Sequence, residues 1–361
     1  MIDSMSFERL RAIGLAPALM QQMALSPQAG SDASLMRVTE VQREGLTLHD
    51  GDAEVPARLL PALRAELAGA ADAIAVGDWV YAQANSLGEW WVHMRIPPLN
   101  QLARRLHDGR DKVERVVIVS NVDTALLVMG LDHDFNLRRL ERYVALARLA
   151  GVGAVVVLTK KDLATDALER VQQVQSMVPA DVAVLAVDAL GDEPLHALAP
   201  WLTTGQTLVL LGSSGAGKST LTNSLTGRQG LQLTGASRHG DGRGRHTTTA
   251  RSLHRTLHGA CIIDTPGLRT LRLDGDAMAL DAVFQDIAAL STACRFRDCR
   301  HQDEPGCAVR GRVGAERLGN YHKLLREARR DTLSALERKA QLQQWKSRAR
   351  NARVRTAAKR G

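Results

Sequence analysis

Aromatic residues are scarce. The 361-residue chain holds 5 Trp, 3 Tyr and 4 Phe, or 3 % of the total. Its cores must therefore rest on Leu, Val, Ile and Ala, and a 45 % hydrophobic content supplies enough of them. No apolar run approaches the roughly 18 residues that a membrane-crossing helix needs, so none is expected. The first ten residues include Asp3 and Glu8 and lack the basic-then-apolar layout of an export signal. Cysteine is limited to four positions that do not space out as a disulfide framework. Three of them, Cys294, Cys299 and Cys307, crowd around His301, which without an export signal reads as metal binding rather than disulfides. Acidic residues vanish from the end of the chain: positions 338–361 contain nine Lys or Arg and no Asp or Glu.

The overall charge is +8, from 47 basic and 39 acidic side chains. Such an excess suits a polyanionic partner, although a basic enzyme could carry the same balance. It is concentrated in the tail and around the cysteines (Arg295, Arg297, Arg300, Arg310, Arg312), an arrangement that suits RNA but also describes a solvated basic helix. Trp345 could stack on a base, or simply pack.

The length allows two or three domains. Residues 1–34 read as a short helical extension. From 35 to about 98, short β-like runs such as Leu35–Val38 and Ala73–Val76 alternate with turn signals, which suggests a small sandwich or barrel. From about 113 to 273 the texture changes. Apolar runs at Val116–Val119, Ala125–Met129, Ala154–Leu158, Val182–Val187, Leu208–Leu211 and Ala260–Ile263 recur, with helical stretches such as Leu137–Leu149 between several of them. That alternation argues for a doubly wound parallel sheet.

Gly212-Ser213-Ser214-Gly215-Ala216-Gly217-Lys218-Ser219 fits G-x-x-x-x-G-K-[ST] between a strand and a helix, the context a phosphate-binding loop requires. Its backbone amides and the following helix end, which begins near Thr220, can cradle phosphates. Lys218 would bridge the β- and γ-phosphates and Ser219 would hold Mg²⁺. Asp264-Thr265-Pro266-Gly267 ends the strand at 260–263. Asp264 could orient Mg²⁺ and the Gly267 amide could meet a γ-phosphate, but alone this is an ordinary turn. Thr159-Lys160-Lys161-Asp162 ends another strand. Asp162 could accept two hydrogen bonds from guanine, a pair adenine cannot offer, with the Lys160 stem across the base. This tetrapeptide too is weak in isolation. Cys294, Cys299, His301 and Cys307 make a closed Cys₃His set, typical of structural zinc. Cys261 lies in an apolar strand and reads as core.

Together these segments resemble GTPases whose motif order is circularly permuted: the base segment comes first, then the phosphate loop, then D-T-P-G. Within that group the chain resembles the ribosome small-subunit-dependent GTPase A family, over about residues 35–361. Further shared segments are Ala75–Val80, Ser120–Asp123 and Gly242–Thr249, the last resembling a first switch. The resemblance implies a multidomain α/β protein. An extension (1–34) leads into an OB-fold β-barrel (35–107), a circularly permuted GTPase domain with a doubly wound sheet (108–275) and a helical zinc-binding domain (276–361). It implies a monomeric cytoplasmic GTP hydrolase that binds the small ribosomal subunit and its rRNA, late in assembly. Rival readings are a P-loop ATPase or kinase, and a nucleotide-gated RNA-binding module with little turnover.

Two departures carry consequences. Thr159 replaces the usual Asn, which puts one link between base loop and phosphate loop in doubt. Asp188-Ala189 stands where Ser-Ala is usual, leaving the Ala189 amide to meet guanine O6. Leu268 occupies the place of the water-orienting Gln of many GTPases, so slow intrinsic turnover is expected. His246 is the candidate to supply the missing group, with RNA or solvent contact as its equal alternative. Thr248 or Thr249 would complete the Mg²⁺ shell.

Overall fold

The computed structural model describes residues 4–25, 33–42, 45–107, 113–227, 251–265 and 280–332. The chain begins with two helices, α1 (Ser4–Arg11) and α2 (Pro17–Leu25). Five strands then follow: β1 (Ser34–Val41), β2 (Leu46–His49), β3 (Glu54–Leu59), and, after helix α3 (Pro61–Gly69), β4 (Trp79–Ala84) and β5 (Trp90–Arg95). They pair in the order β1-β2-β3-β5-β4, and β4 returns to β1 to close a barrel. Met36, Val38, Leu48, Val80, Ala82 and Val92 fill its interior, and Leu63 and Leu67 of α3 join them. Period-two alternation creates this core, since Val80 and Ala82 face inward while Trp79 and Tyr81 of the same strand meet α1 and α2 outside.

Next comes a hairpin of β6 (Gln101–His107) and β7 (Val113–Ser120). Two expectations are corrected here. Val116–Val119 belongs to this hairpin rather than to the parallel sheet. Only 121–123 separate β7 from the next strand, far short of the dozen or so residues a parallel crossover needs. Ala73–Val76 is not a strand either. The Asp78 carboxylate accepts the Ala75 N–H (2.8 Å) and Asp72 accepts that of Ala73 (2.8 Å), so local bonds replace a ladder. Only Val76 bridges to Val119. The hairpin also spans position 107/108, where the sequence divides barrel from nucleotide-binding region.

The remaining elements are β8 (Thr124–Gly130), α4 (Leu137–Leu149), β9 (Gly153–Thr159), α5 (Ala167–Met177), β10 (Ala183–Ala186), α6 (Glu193–Ala197), β11 (Thr207–Gly212), α7 (Lys218–Thr226), β12 (Ser252–Arg255), β13 (Cys261–Asp264), α8 (Gln285–Ser291) and α9 (Ala315–Thr332). The order β10-β9-β8-β11-β13 is parallel throughout, and β12 adds an antiparallel edge. Both faces are buried. Ala125, Leu127 and Met129 of β8 pack with α4 and α9, whereas Leu126 and Val128 pack with Leu221 and Leu225 of α7. Glu40 of β1 pairs with Ser252 of β12, so barrel and parallel sheet are continuous.

Candidate functional site

In a parallel sheet the ligand crevice forms at the carboxyl ends of the strands. Five loops leave this sheet there: after Gly130 (β8), Thr159 (β9), Ala186 (β10), Gly212 (β11) and Asp264 (β13). Three carry the predicted phosphate loop, base segment and Asp264. A fourth carries Asp188 and Ala189.

The phosphate loop leaves β11 and enters α7 at Lys218. Ser214 and Gly215 are exposed at its mouth, while Ala216 is fully buried beneath. Gly217 has φ +89°, a backbone conformation that favours glycine, and a Cβ there would crowd the Thr159 hydroxyl at 3.0 Å. Lys218 Nζ donates to the carbonyls of Gly212 (2.9 Å) and Ser213 (2.5 Å), folded back over its own loop. Burial lowers its pKa, against the pull of the nearby Asp264 and Asp134 carboxylates. Ser219 and Thr220 occupy the first turn of α7. The Thr222 hydroxyl donates to the Lys218 carbonyl (3.0 Å), bracing that turn from inside.

Asp264 is 2 % exposed, and burial raises its pKa while Lys218 opposes the shift. Its Oδ2 has no hydrogen-bond partner among the described residues. A buried, orphaned carboxylate oxygen beside a phosphate loop fits a hard cation or its bound water. Thr265, fully buried, donates its hydroxyl to the Leu210 carbonyl (2.7 Å) and ties the end of β13 to β11.

The base segment meets the phosphate loop directly. Thr159 Oγ1 donates to the Ala216 carbonyl (2.7 Å) within the buried interior. The link that the missing Asn put in doubt is therefore present, made by a shorter side chain. Lys160 adopts a left-handed conformation (φ +60°), which turns the chain into the short 3₁₀ turn Lys161–Leu163 carrying exposed Asp162. Glu193, which sequence reading passed over, joins two segments. One oxygen takes the Lys161 ammonium (2.6 Å) and the other the Asp188 N–H (2.8 Å). Asp188 in turn accepts the Leu190 N–H (2.9 Å), and Ala189 is 5 % exposed. Asp132 and Asp134 were also missed. Asp132 accepts from Lys160 Nζ (2.7 Å) and Asp134 from the Ser213 hydroxyl (2.5 Å). The available signal was two carboxylates just past Gly130 at the end of an apolar strand. His246, Thr247, Thr248, Thr249 and Gly267 lie outside the described residues, as do Leu268 and the basic tail with Trp345.

A second site lies between α8 and α9. The ligand atoms of Cys294, Cys299, His301 and Cys307 all fall within 4.8 Å of one another. His301 Nδ1 is 3.6 Å from both Cys294 Sγ and Cys307 Sγ. Metal–sulfur bonds of about 2.3 Å in a tetrahedron put ligands roughly 3.8 Å apart, so the set can hold one ion with little adjustment. Burial, aided by His322 and opposed by Glu304, lowers the His301 pKa, a direction that favours the neutral ring a metal ligand needs. Ala308 and Arg310 donate backbone N–H groups to Cys294 (3.3 Å) and Cys307 (3.4 Å). Cys261 is buried core, as expected.

Comparison with known proteins agrees with this geometry. Residues 97–274 match a family model described as RsgA GTPase. A Xylella fastidiosa (strain M23) protein named small ribosomal subunit biogenesis GTPase RsgA is 44 % identical over 295 residues, covering 80 % of this chain and 86 % of that one. A Vibrio vulnificus protein named small ribosomal subunit biogenesis GTPase RsgA 2 is 43 % identical over 274 residues, 74 % of this chain and 76 % of that one. The crystal structure of YjeQ from Thermotoga maritima aligns with a TM-score of 0.61 at 24 % identity, covering 82 % of this chain and 98 % of the other. That of YloQ, described as a circularly permuted GTPase, aligns at 0.56 and 23 %, covering 85 % and 100 %. At these identities the two structures speak to fold alone.

Proposed function

The chain belongs to the RsgA GTPase family, and from that premise we propose that it hydrolyses GTP on the small ribosomal subunit during late maturation. One observation carries the nucleotide half of this reading. The base segment and the phosphate loop, 57 positions apart in sequence, are bonded to each other through Thr159 and Ala216. The relatives' names and the basic residues of the tail and metal module support the ribosomal half. The domain division is kept as the sequence draws it: barrel 35–107, GTPase domain 108–275 and metal-binding module 276–361.

Guanine is held by Asp162, with Lys160 along the base and the Ala189 amide toward O6. Thr159, Lys161 and Asp188 shape that side of the pocket. The amides of residues 213–220 receive the phosphates. Lys218 exchanges its loop carbonyls for phosphate oxygens, an exchange made easier because those carbonyls are only neutral partners. Ser219 and Asp264 would hold Mg²⁺, with Thr248 or Thr249 as the further ligand, and the Gly267 amide would meet the γ-phosphate. Bound there, Mg²⁺ would supply neutralisation of the charge that develops on the phosphate oxygens. Hydrolysis is in-line attack of water, governed by positioning more than by proton transfer. His246 orients that water in place of the usual Gln, and the docked subunit completes its placement. The Cys₃His set takes zinc as a structural ion, and the protein acts in the cytoplasm as a monomer.

The test is steady-state GTP hydrolysis with and without purified small subunits, large subunits and free rRNA. Strong stimulation by small subunits alone is expected. Equal turnover in all four conditions would reduce the protein to a nucleotide-gated binder.

A further inference from the structure

The loop between β8 and α4 touches both halves of the pocket. Asp134, 8 % exposed, accepts two bonds on one oxygen, from the Ser213 hydroxyl and from Arg139 Nη2, each at 2.5 Å. Its other oxygen takes the Gly130 N–H (3.2 Å). Two residues earlier, Asp132 accepts the Lys160 ammonium (2.7 Å) and also the Asp134 N–H (3.0 Å). The backbone adds a third tie, as Leu131 donates to the Thr159 carbonyl (2.9 Å). A Cβ on Gly130 would come 2.5 Å from Asp132 Oδ1 and 3.4 Å from Lys160, so glycine is what lets the loop sit this close. Thr159 then bonds Ala216, and the three loops form a closed ring: 130–134 to 159–160, 159 to 216, and 213 back to 134.

We propose that Asp134 is a positioning residue for nucleotide binding, presetting the phosphate loop through Ser213 and coupling it to the base segment through Asp132 and Lys160. The physical reason lies in the cost of ordering. A glycine-rich loop loses more conformational freedom on closing around phosphate than most segments do. A buried carboxylate that fixes the loop's second residue beforehand removes part of that cost from the binding step. Arg139 balances the carboxylate's charge, so the phosphates do not meet a bare anion. Asp134 touches no reacting atom in this scheme. Its removal therefore weakens binding of GDP and GTP alike and leaves the chemical step alone.

The inference rests on the nucleotide reading above, and a double-mutant cycle separates the two. GDP affinity is measured by titration calorimetry for the wild type, Asp134→Ala, Ser213→Ala, the double variant and Asp134→Asn, with a thermal midpoint for each. Loss of a charge-assisted bond predicts a roughly tenfold or larger rise in Kd for each Ala variant. The double variant should fall within about twofold of the weaker single, because both remove one bond. Asp134→Asn keeps an acceptor for Ser213 and should recover most of the affinity. For Asp134→Ala, KM for GTP should rise while kcat at saturation holds. Multiplicative losses in the double variant, or a lowered thermal midpoint with GDP affinity intact, would overturn the proposal and make Asp134 a plain helix brace. A wild type that binds no GDP would instead overturn the nucleotide reading.

Discussion

Single residues set the electrical balance of this protein, and Asp78 is the sharpest case. It is fully buried at the junction of barrel and hairpin, and burial raises its pKa from 3.8 to about 6, against the pull of Arg95. In the unfolded chain the same carboxyl ionises near its ordinary 3.8. The fold thus holds this proton more tightly than the open chain does. Its stabilising contribution is complete below pH 3.8, fades as pH rises through about 6, and is absent above. The loss is on the order of 3 kcal/mol. Asp78→Asn keeps an acceptor for the Ala75 N–H and removes the titration. Urea midpoints should show the variant gaining on the wild type between pH 4.5 and pH 7. Parallel profiles would refute the assignment. Residue-level legibility was uneven for a related reason. Lys218 and the four cysteine and histidine residues stand in spacings that suggest their chemistry, whereas Asp264 reads as a turn until set beside the phosphate loop. Asp134 and Glu193 act across folds of the chain, and nothing local marks a carboxylate whose partner lies 79 or 32 positions away.

Among elements, the strands of the parallel sheet were legible because each is apolar on both faces. Their edges in sequence match those observed to within a residue or two, Val182–Val187 against β10 for example. The β6–β7 hairpin was not, since an apolar run announces burial and says nothing of pairing direction. Connection length decides that, and the three residues at 121–123 were the overlooked clue. The edge strand β12 escaped for want of apolar content, with only Leu253 buried. The C-terminal elements are held in two ways. Helix α9 docks on α4 and α8 through paired charges: Arg142 of α4 grips Glu327 at 2.7 and 2.8 Å, and Arg317 bonds both Asp286 of α8 (2.7 Å) and the buried Glu141 of α4. The turns before it rest on the Cys₃His cluster. Structural zinc can supply most of the folding energy of so small a unit. Purified protein should contain one zinc per chain by mass spectrometry, and Cys299→Ala should lose it while retaining GDP binding. Full zinc content in that variant would contradict the assignment.

At the scale of the whole molecule, a permuted motif order is compatible with an ordinary sheet because strands are placed by pairing and packing rather than by rank in sequence. The barrel is no loose appendage. β1 runs from its wall into the edge of the parallel sheet, and Arg37 of that strand donates to the Thr207 hydroxyl (2.9 Å) and the Ile13 carbonyl. N-terminal helices, barrel and GTPase domain therefore share one buried guanidinium. Domain order was legible from texture and motifs, whereas this junction depends on contacts 24 and 170 positions apart. The account stands or falls on a single pocket that reads guanine at Asp162 and grips phosphate around Lys218. Competition binding measures this directly, with labelled GDP on the wild type and labelled xanthosine diphosphate on Asp162→Asn, each displaced by GTP, ATP and xanthosine triphosphate. Wild type should yield to GTP and ignore ATP. The variant should lose GTP and prefer the xanthosine nucleotide, whose extra carbonyl matches the amide. Equal displacement by ATP and GTP, or a variant with unchanged preference, would contradict the account.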